Sequence, residues 1–144
     1  MFLLKLARRA LFALAGLLVL AQLVPYGRDH SNPPVLSEPL WDSARTRQLV
    51  ADACFDCHSN RTRWPWYTNV APASWLIQRD VDRGREELNF SRWRQSQPEV
   101  EEIFETVSEG EMPPRSYELI QGTARLSGSE RSELLRGLRA SLGR

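Results

Sequence analysis

The chain has 144 residues, with 19 basic and 18 acidic side chains and a formal net charge of +1. Lys5, Arg8 and Arg9 lie in an N-terminal segment without acids, so the rest of the chain carries 16 bases against all 18 acids. This length accommodates one small domain, and a near-neutral balance without clustered positive charge excludes a nucleic-acid-binding surface.

The N-terminal segment continues from its three bases into an apolar stretch, Ala10 to Val24, that only Gln22 interrupts. Positive residues before an apolar run are typical of a secretion signal or a signal anchor. A cleavage site is conceivable at Val19-Leu20-Ala21, but the apolar stretch continues past it and Tyr26 suits a membrane interface. We therefore expect a retained transmembrane anchor over residues 1–27, in a bacterial inner membrane. The bases before the span predict a cytoplasmic N-terminus and a periplasmic domain.

A linker follows at residues 28–41 and contains Pro33, Pro34 and Pro39. Prolines stop helices and favour extended backbone. We expect a short stiff spacer before a domain at residues 42–144.

The domain shows helical periodicity and no clear alternating strand pattern. Asp42 or Ser43 can cap the first helix, Ser96–Glu99 and Ser127–Glu130 are capping-box patterns, and Gly110 is placed to end a helix. The predicted helices run to about Ala53 from the first cap, from about Ala73 to Leu88, from the first box to Gly110, and from the second box through apolar positions up to Leu142. A short helical piece is possible around 116–121. The fold class is therefore all-α, and the long loop at 59–72 would be explained by a bound cofactor.

The motif with the clearest chemistry is Cys54-Phe55-Asp56-Cys57-His58, which contains the only two cysteines of the chain. Two thiols at this spacing on a helical turn lie on one side, where both can add to the vinyl groups of one haem. The next residue, His58, then supplies a neutral imidazole to the iron. The motif predicts one covalent haem c held by Cys54 and Cys57.

Three other interpretations of the motif are weaker. A thioredoxin-like site needs a βαβ context that the chain does not offer. A zinc site would need a distant fourth ligand. A disulfide between Cys54 and Cys57 would close a very short loop and contribute little.

The second axial ligand is predicted to be Met112. The other histidine, His30, lies in the linker, and the other methionine is Met1. Met112 is followed by Pro113 and Pro114, which favour a stiff loop, although filling a gap in the core is the more common role of methionine. A methionine ligand raises the reduction potential relative to a second histidine.

Aromatic and basic residues soon after His58 allow two interpretations each. Arg61 and Arg63 would pair with haem propionates or lie solvated, and the carbonyl of Pro65 or Pro72 is a candidate acceptor for the His58 Nδ1–H. The rings could pack in the core or line the haem pocket; those assigned to the pocket are Trp64, Trp66 and Tyr67.

A family resemblance is carried by the stretch from Cys54 to Asp80, which reads CFDCHSNRTRWPWYTNVAPASWLIQRD. It resembles the haem-binding domain of bacterial membrane-anchored c-type cytochromes, and the Met-Pro-Pro at Met112, the linker and the anchor are similar too. The resemblance implies a small cytochrome c-like helical domain. It also implies that Cys54, Cys57, His58 and Met112 are the haem residues.

These observations predict a membrane-anchored periplasmic monohaem cytochrome that transfers electrons to or from membrane and periplasmic redox proteins. The alternative is a haem-based gas or redox sensor in which Met112 is displaced from the iron. A peroxidase-type enzyme would need a distal acid–base histidine, and His30 is in the linker. We therefore expect no enzymatic activity and no small-molecule substrate.

Overall fold

The computed structural model describes residues 1–95, 97 and 99–143. Within these residues the secondary structure is helical, apart from an isolated bridge between Ser37 and Arg92, which confirms the all-α prediction. The helices are α1 (Phe2–Ala21), α2 (Ala44–Ala53), α3 (Phe55–His58), α4 (Ala73–Glu87), α5 (Val100–Glu109), α6 (Arg115–Ile120) and α7 (Gly128–Leu142), with 3₁₀ turns at Trp66–Asn69 and Gly122–Ala124.

The helix ends follow local signals in the sequence. Ser43 caps α2 by accepting a hydrogen bond from the Thr46 N–H at 3.1 Å, and Gly110 ends α5 in a left-handed conformation with φ 78°, where glycine avoids a steric penalty. The Ser127–Glu130 capping box at the start of α7 is confirmed, with both of its hydrogen bonds present. The other predicted box depends on Ser96, which lies outside the described residues.

The chain divides into two compact units. The first unit consists of Met1–Ser31 and Trp64–Asp80, and the second of Asn32–Arg63 with the residues from Val81 onward. The predicted limits at residues 27 and 41 stay a prediction.

In the first unit, Gln22 at the end of α1 pairs with the main chain of Ala71. Its amide donates to the Ala71 carbonyl at 2.9 Å and accepts from the Ala71 N–H at 3.1 Å. Nearby, His30 stacks on Trp64 with ring centroids 4.8 Å apart and pairs with the Thr68 hydroxyl at 2.9 Å.

Among the described helices, none combines the length and the apolar character needed to cross a membrane. The transmembrane anchor predicted over residues 1–27 is therefore not supported by the structure.

The second unit has a core formed largely by α2, α5 and α7. Val50 and Leu134 are fully buried there, and Leu138 is 1% exposed. Part of the predicted linker joins this unit, because the Leu36 and Ser37 N–H groups donate to the Ser91 carbonyl at 2.9 and 3.1 Å. The core also fixes α3, since the Phe55 ring is 4% exposed and lies 5.9 Å from that of Phe90.

Candidate functional site

The C-x-x-C-H motif forms a single helical turn, α3. Cys54 precedes it, and its carbonyl accepts hydrogen bonds from the Cys57 and His58 N–H groups at 3.2 and 2.9 Å. Cys54 and His58 line the cleft described next, whereas Cys57 is not among its lining residues and lies against Gly84 of α4. The predicted helical turn is therefore present, and the shared orientation of the two thiols stays a prediction.

Beside α3 the second unit contains a cleft of about 280 Å³. Three of the predicted site residues, Cys54, His58 and Met112, line it together. Its other lining residues are mainly apolar, with two carboxylates and one hydroxyl: Glu87, Leu88, Phe90, Glu102, Ile103, Thr106, Val107 and Leu138. Sequence reasoning placed several of these on helices but did not identify them as a shared wall.

His58 is held by main-chain carbonyls at the end of α4. Its Nδ1 lies 2.8 Å from the Gly84 carbonyl oxygen and 3.2 Å from that of Leu88. Because both neighbours are acceptors, Nδ1 carries the proton and Nε2 keeps a free lone pair. The prediction that Pro65 or Pro72 would accept this proton was wrong. Those prolines belong to the first unit. The Gly84 carbonyl accepts from His58 as well as from the Leu88 N–H at 3.0 Å, because a carbonyl oxygen has two lone pairs.

The charge state of His58 also suits metal binding. Burial lowers the pKa of His58, although the Gly84 and Leu88 carbonyls oppose this shift. The ring is therefore neutral at neutral pH. A neutral imidazole with Nδ1–H donated to a carbonyl is the usual arrangement of a metal-binding histidine.

The two cysteines differ in their surroundings. Burial and, to a smaller extent, the neighbouring Cys57 raise the pKa of the Cys54 thiol to about 12. Such a thiol is protonated at neutral pH, which does not favour thioredoxin-like chemistry. Cys57 lies against α4, where its carbonyl and Cβ are in close approach to Gly84. Both thiols are free of disulfide bonding.

Met112 enters the cleft from a loop that follows α5. Its N–H donates to the Thr106 carbonyl at 3.2 Å, and the Glu111 N–H donates to the same oxygen at 3.0 Å. The methionine is half-buried and packs against the core, while Pro113 after it is buried. The loop thus directs a thioether into the cleft, although core packing accounts for part of its contacts.

The three predicted pocket aromatics belong to the first unit, whereas the cleft is formed by residues of the second. Trp66 is 77% exposed and packs edge-on against Tyr67, with ring centroids 5.9 Å apart, while Trp64 carries the stacked His30. Their role in a haem pocket stays a prediction.

Arg61 and Arg63 pair with carboxylates of the chain itself. Arg61 lies 3.3 Å from Glu38, and Arg63 lies 3.0 Å from Asp56. Asp56 also accepts a hydrogen bond from the Tyr117 hydroxyl at 2.6 Å. These contacts of Asp56 were not predicted from the sequence. Asp56 is the second variable residue of the C-x-x-C-H motif, and the motif does not indicate which donors that residue will contact.

The chemistry of these donors fits haem. An apolar cleft offers a protonated thiol, a neutral imidazole with its Nε2 free and a thioether, and a second thiol lies on the same turn. By contrast, no cluster of three or more His, Cys, Asp or Glu side chains suited to holding a metal ion occurs within residues 1–95, 97 and 99–143. The zinc alternative therefore has no support in the described part of the chain.

The comparisons with known proteins point in the same direction. A family model described as a haem-binding domain matches residues 16–140. The comparison with curated proteins found no match, and neither did the comparison with solved structures.

Proposed function

The chain belongs to the haem-binding domain family, and we propose that it is a monohaem c-type cytochrome that carries electrons. The observation that supports this most is the convergence of Cys54, His58 and Met112 on one apolar cleft. His58 and Met112 are far apart in the sequence, and an imidazole paired with a thioether is the axial ligand set of electron-transfer cytochromes.

In this proposal Cys54 and Cys57 would hold one haem, and His58 and Met112 would bind its iron. Each thiol would add its S–H across one vinyl C=C, with sulfur bonding to one carbon and hydrogen to the other, so that attachment would need no oxidant. When bound, the haem supplies an iron that gains and loses one electron. The chain keeps both axial side chains in place and excludes water with the apolar wall of the cleft.

Electron transfer is favoured over catalysis by the position of the histidines. The chain has two, and His30 pairs with Thr68 inside the first unit. A distal acid–base histidine of the kind a peroxidase needs is thus not provided by His30. We propose redox proteins of the membrane and periplasm as the partners, and no small-molecule substrate.

The proposed location rests on α1, whose large apolar side chains are exposed, Phe2 at 78% and Leu3 at 77%. An exposed apolar surface of this kind marks an interaction with a membrane or another protein. We propose that the segment directs the chain through the bacterial inner membrane and leaves the haem domain periplasmic. Fractionation of the full-length chain tests this. Recovery in the membrane or the periplasm is expected, and an unprocessed chain in the cytoplasm would contradict the location.

The ligand set is tested by expressing the full chain with c-type haem maturation factors and recording oxidised and reduced absorption spectra. We expect covalent low-spin haem with the weak far-red charge-transfer band of a methionine–Fe(III) bond. Met112→Ala should abolish that band. It should also lower the reduction potential by roughly 100 mV or more, within the range of about 0.8 V over which axial ligands set haem potentials.

Leu119→Ala is the matched control, because it shortens an exposed apolar side chain on the neighbouring α6. It should leave the band and the potential unchanged. Covalent haem that is high-spin and binds CO readily in the unmutated chain would favour the sensor with Met112 displaced. A chain without covalent haem would refute the proposed function altogether.

A further inference from the structure

The carboxylate of Asp56 lies within the C-x-x-C-H motif and is nearly buried, with the residue 8% exposed. It accepts hydrogen bonds from the Arg63 N–H at 2.9 Å and from the Arg63 Nε at 3.0 and 3.2 Å. A buried carboxylate is tolerated only when its oxygens are paired in this way. Asp56 is therefore a fixed acceptor on the turn that carries Cys54, Cys57 and His58.

Besides Arg63, whose Nη2 also lies 3.0 Å from Oδ2, a donor to Asp56 comes from a distant part of the sequence. The Tyr117 hydroxyl donates to Oδ2 of Asp56 at 2.6 Å, a short distance typical of a charge-assisted hydrogen bond. Burial raises the pKa of the Tyr117 hydroxyl, and the adjacent Asp56 carboxylate raises it further. The hydroxyl thus stays protonated and keeps donating.

Tyr117 is coupled to Met112 through the start of α6. The Pro114 carbonyl, two residues after Met112, accepts from the Tyr117 and Glu118 N–H groups at 2.9 and 3.1 Å. On its other side the methionine is tied to the Thr106 carbonyl at 3.2 Å. The segment that carries Met112 is therefore held at both ends, and its downstream end is fastened to Asp56 by one hydroxyl.

We propose that Tyr117 and Asp56 are positioning residues, whose hydrogen bond fastens the Met112 segment to the turn that carries His58 and so holds the two axial ligands at the spacing the iron requires. This inference rests on the proposed axial pair. Neither residue binds the haem itself; both act through the segments that they join.

Loss of the Tyr117–Asp56 hydrogen bond should displace Met112 more than His58. Binding side chains must be held within about 0.5 Å of their productive position by supporting contacts. His58 has its own support in the Gly84 and Leu88 carbonyls. Met112 lacks an equivalent side-chain hydrogen bond, so loosening α6 should release the thioether first and leave His58 bound.

Tyr117→Phe removes the single oxygen and keeps the ring. In the haem-loaded full chain, the methionine–Fe(III) band should then disappear at a lower temperature than in the unmutated protein, and the reduction potential should fall. CO binding to the reduced form should become on the order of tenfold faster, as expected when a hydrogen bond to a charged group is lost. Amide hydrogen exchange should accelerate in residues 112–118 more than in α2 or α7.

Tyr26→Phe is the matched control, because it removes the same atom from a tyrosine of the first unit that is 47% exposed. Asp56→Asn is a second variant that keeps the volume and removes the charge. If the pair acts as one unit, the double variant should release Met112 little more than the more severe single variant does. Fully additive effects would overturn the inference.

Two further outcomes would also overturn it. One is an unchanged band and CO rate in Tyr117→Phe. The other is a band that shifts only in parallel with the loss of helix measured by circular dichroism, since that would show a role in overall stability alone. If the unmutated chain itself lacks the methionine band, the proposed axial pair fails and this inference fails with it.

Discussion

Gly84 shows how one residue sets the approach of two segments at the site. A Cβ placed there would lie 2.6 Å from the Cys57 carbonyl oxygen and 2.9 Å from the Cys57 Cβ, distances below ordinary van der Waals contact. The same residue offers its carbonyl to His58 Nδ1 at 2.8 Å. A glycine inside a helix costs about 1 kcal/mol relative to alanine. At Gly84 this cost is accompanied by direct contact with Cys57 of α3.

Gly84→Ala should therefore destabilise the protein, although alanine is the better helix former. We expect the free energy of unfolding to fall by about 1–3 kcal/mol, because the added methyl group overpacks the contact with Cys57. Urea unfolding of the haem-loaded chain measures this. Gly128→Ala, in a helical position with nothing within 4 Å of the added atom, should leave stability unchanged or slightly raise it. Equal stability of Gly84→Ala and the unmutated chain would show that α4 can move away freely.

At the scale of elements, the helices were predictable because their signals are local. The cap at Ser43, the glycine at Gly110 and the box at Ser127 each act within one turn. The apolar repeats of α5 and α7 likewise need no knowledge of the neighbours that they meet. The bounds of α2 agree within one or two residues, whereas α5 begins at Val100 with Glu99 as its N-cap, three residues later than the Ser96 box predicted.

The contacts between elements were harder to predict, because main-chain acceptors have no signature in a sequence. The carbonyls of Gly84 and Leu88 hold His58 only because α4 ends beside α3. Asp56 likewise accepts a hydrogen bond from Tyr117 only because α6 places the Tyr117 hydroxyl beside it. Cys54, His58 and Met112 could be named from residue type and elimination, but the groups that orient them required the structure.

At the scale of the molecule, Glu38 joins three separated parts of the second unit. Its carboxylate accepts from Arg47 on α2 at 2.8 and 2.9 Å and from the Trp41 indole at 3.1 Å. It also lies 3.3 Å from Arg61, which follows α3. Glu38 falls in the predicted spacer at residues 28–41. The predicted spacer is therefore attached to the domain through the contacts of Glu38. The prolines of the spacer gave no indication of this attachment.

Because of these contacts of Glu38, part of the free energy of unfolding depends on pH in the acid range. Partial burial raises the pKa of Glu38, but the hydrogen bonds from Arg47 and Trp41 and the charges of Arg47 and Arg61 bring it below its ordinary value of 4.5. A carboxyl group whose pKa is lowered by folding stabilises the native state above its unfolded pKa, and the contribution is lost as the pH falls through the folded pKa. We expect this contribution to be at most about 1 kcal/mol, because the arginines are partly exposed to solvent.

Glu38→Gln isolates that contribution. The variant should be less stable than the unmutated chain at pH 7. The difference should shrink as the pH is lowered below about 4.5 and through the folded pKa, since the unmutated carboxyl is then neutralised as well. Urea unfolding of both haem-loaded chains across this range measures the difference. Glu105→Gln, on the exposed side of α5, serves as the control and should show no such convergence. If the difference in the free energy of unfolding between Glu38→Gln and the unmutated chain does not depend on pH, the variant is destabilised by altered packing or geometry and not by loss of charge. The spacer would then be held by contacts other than its ion pairs.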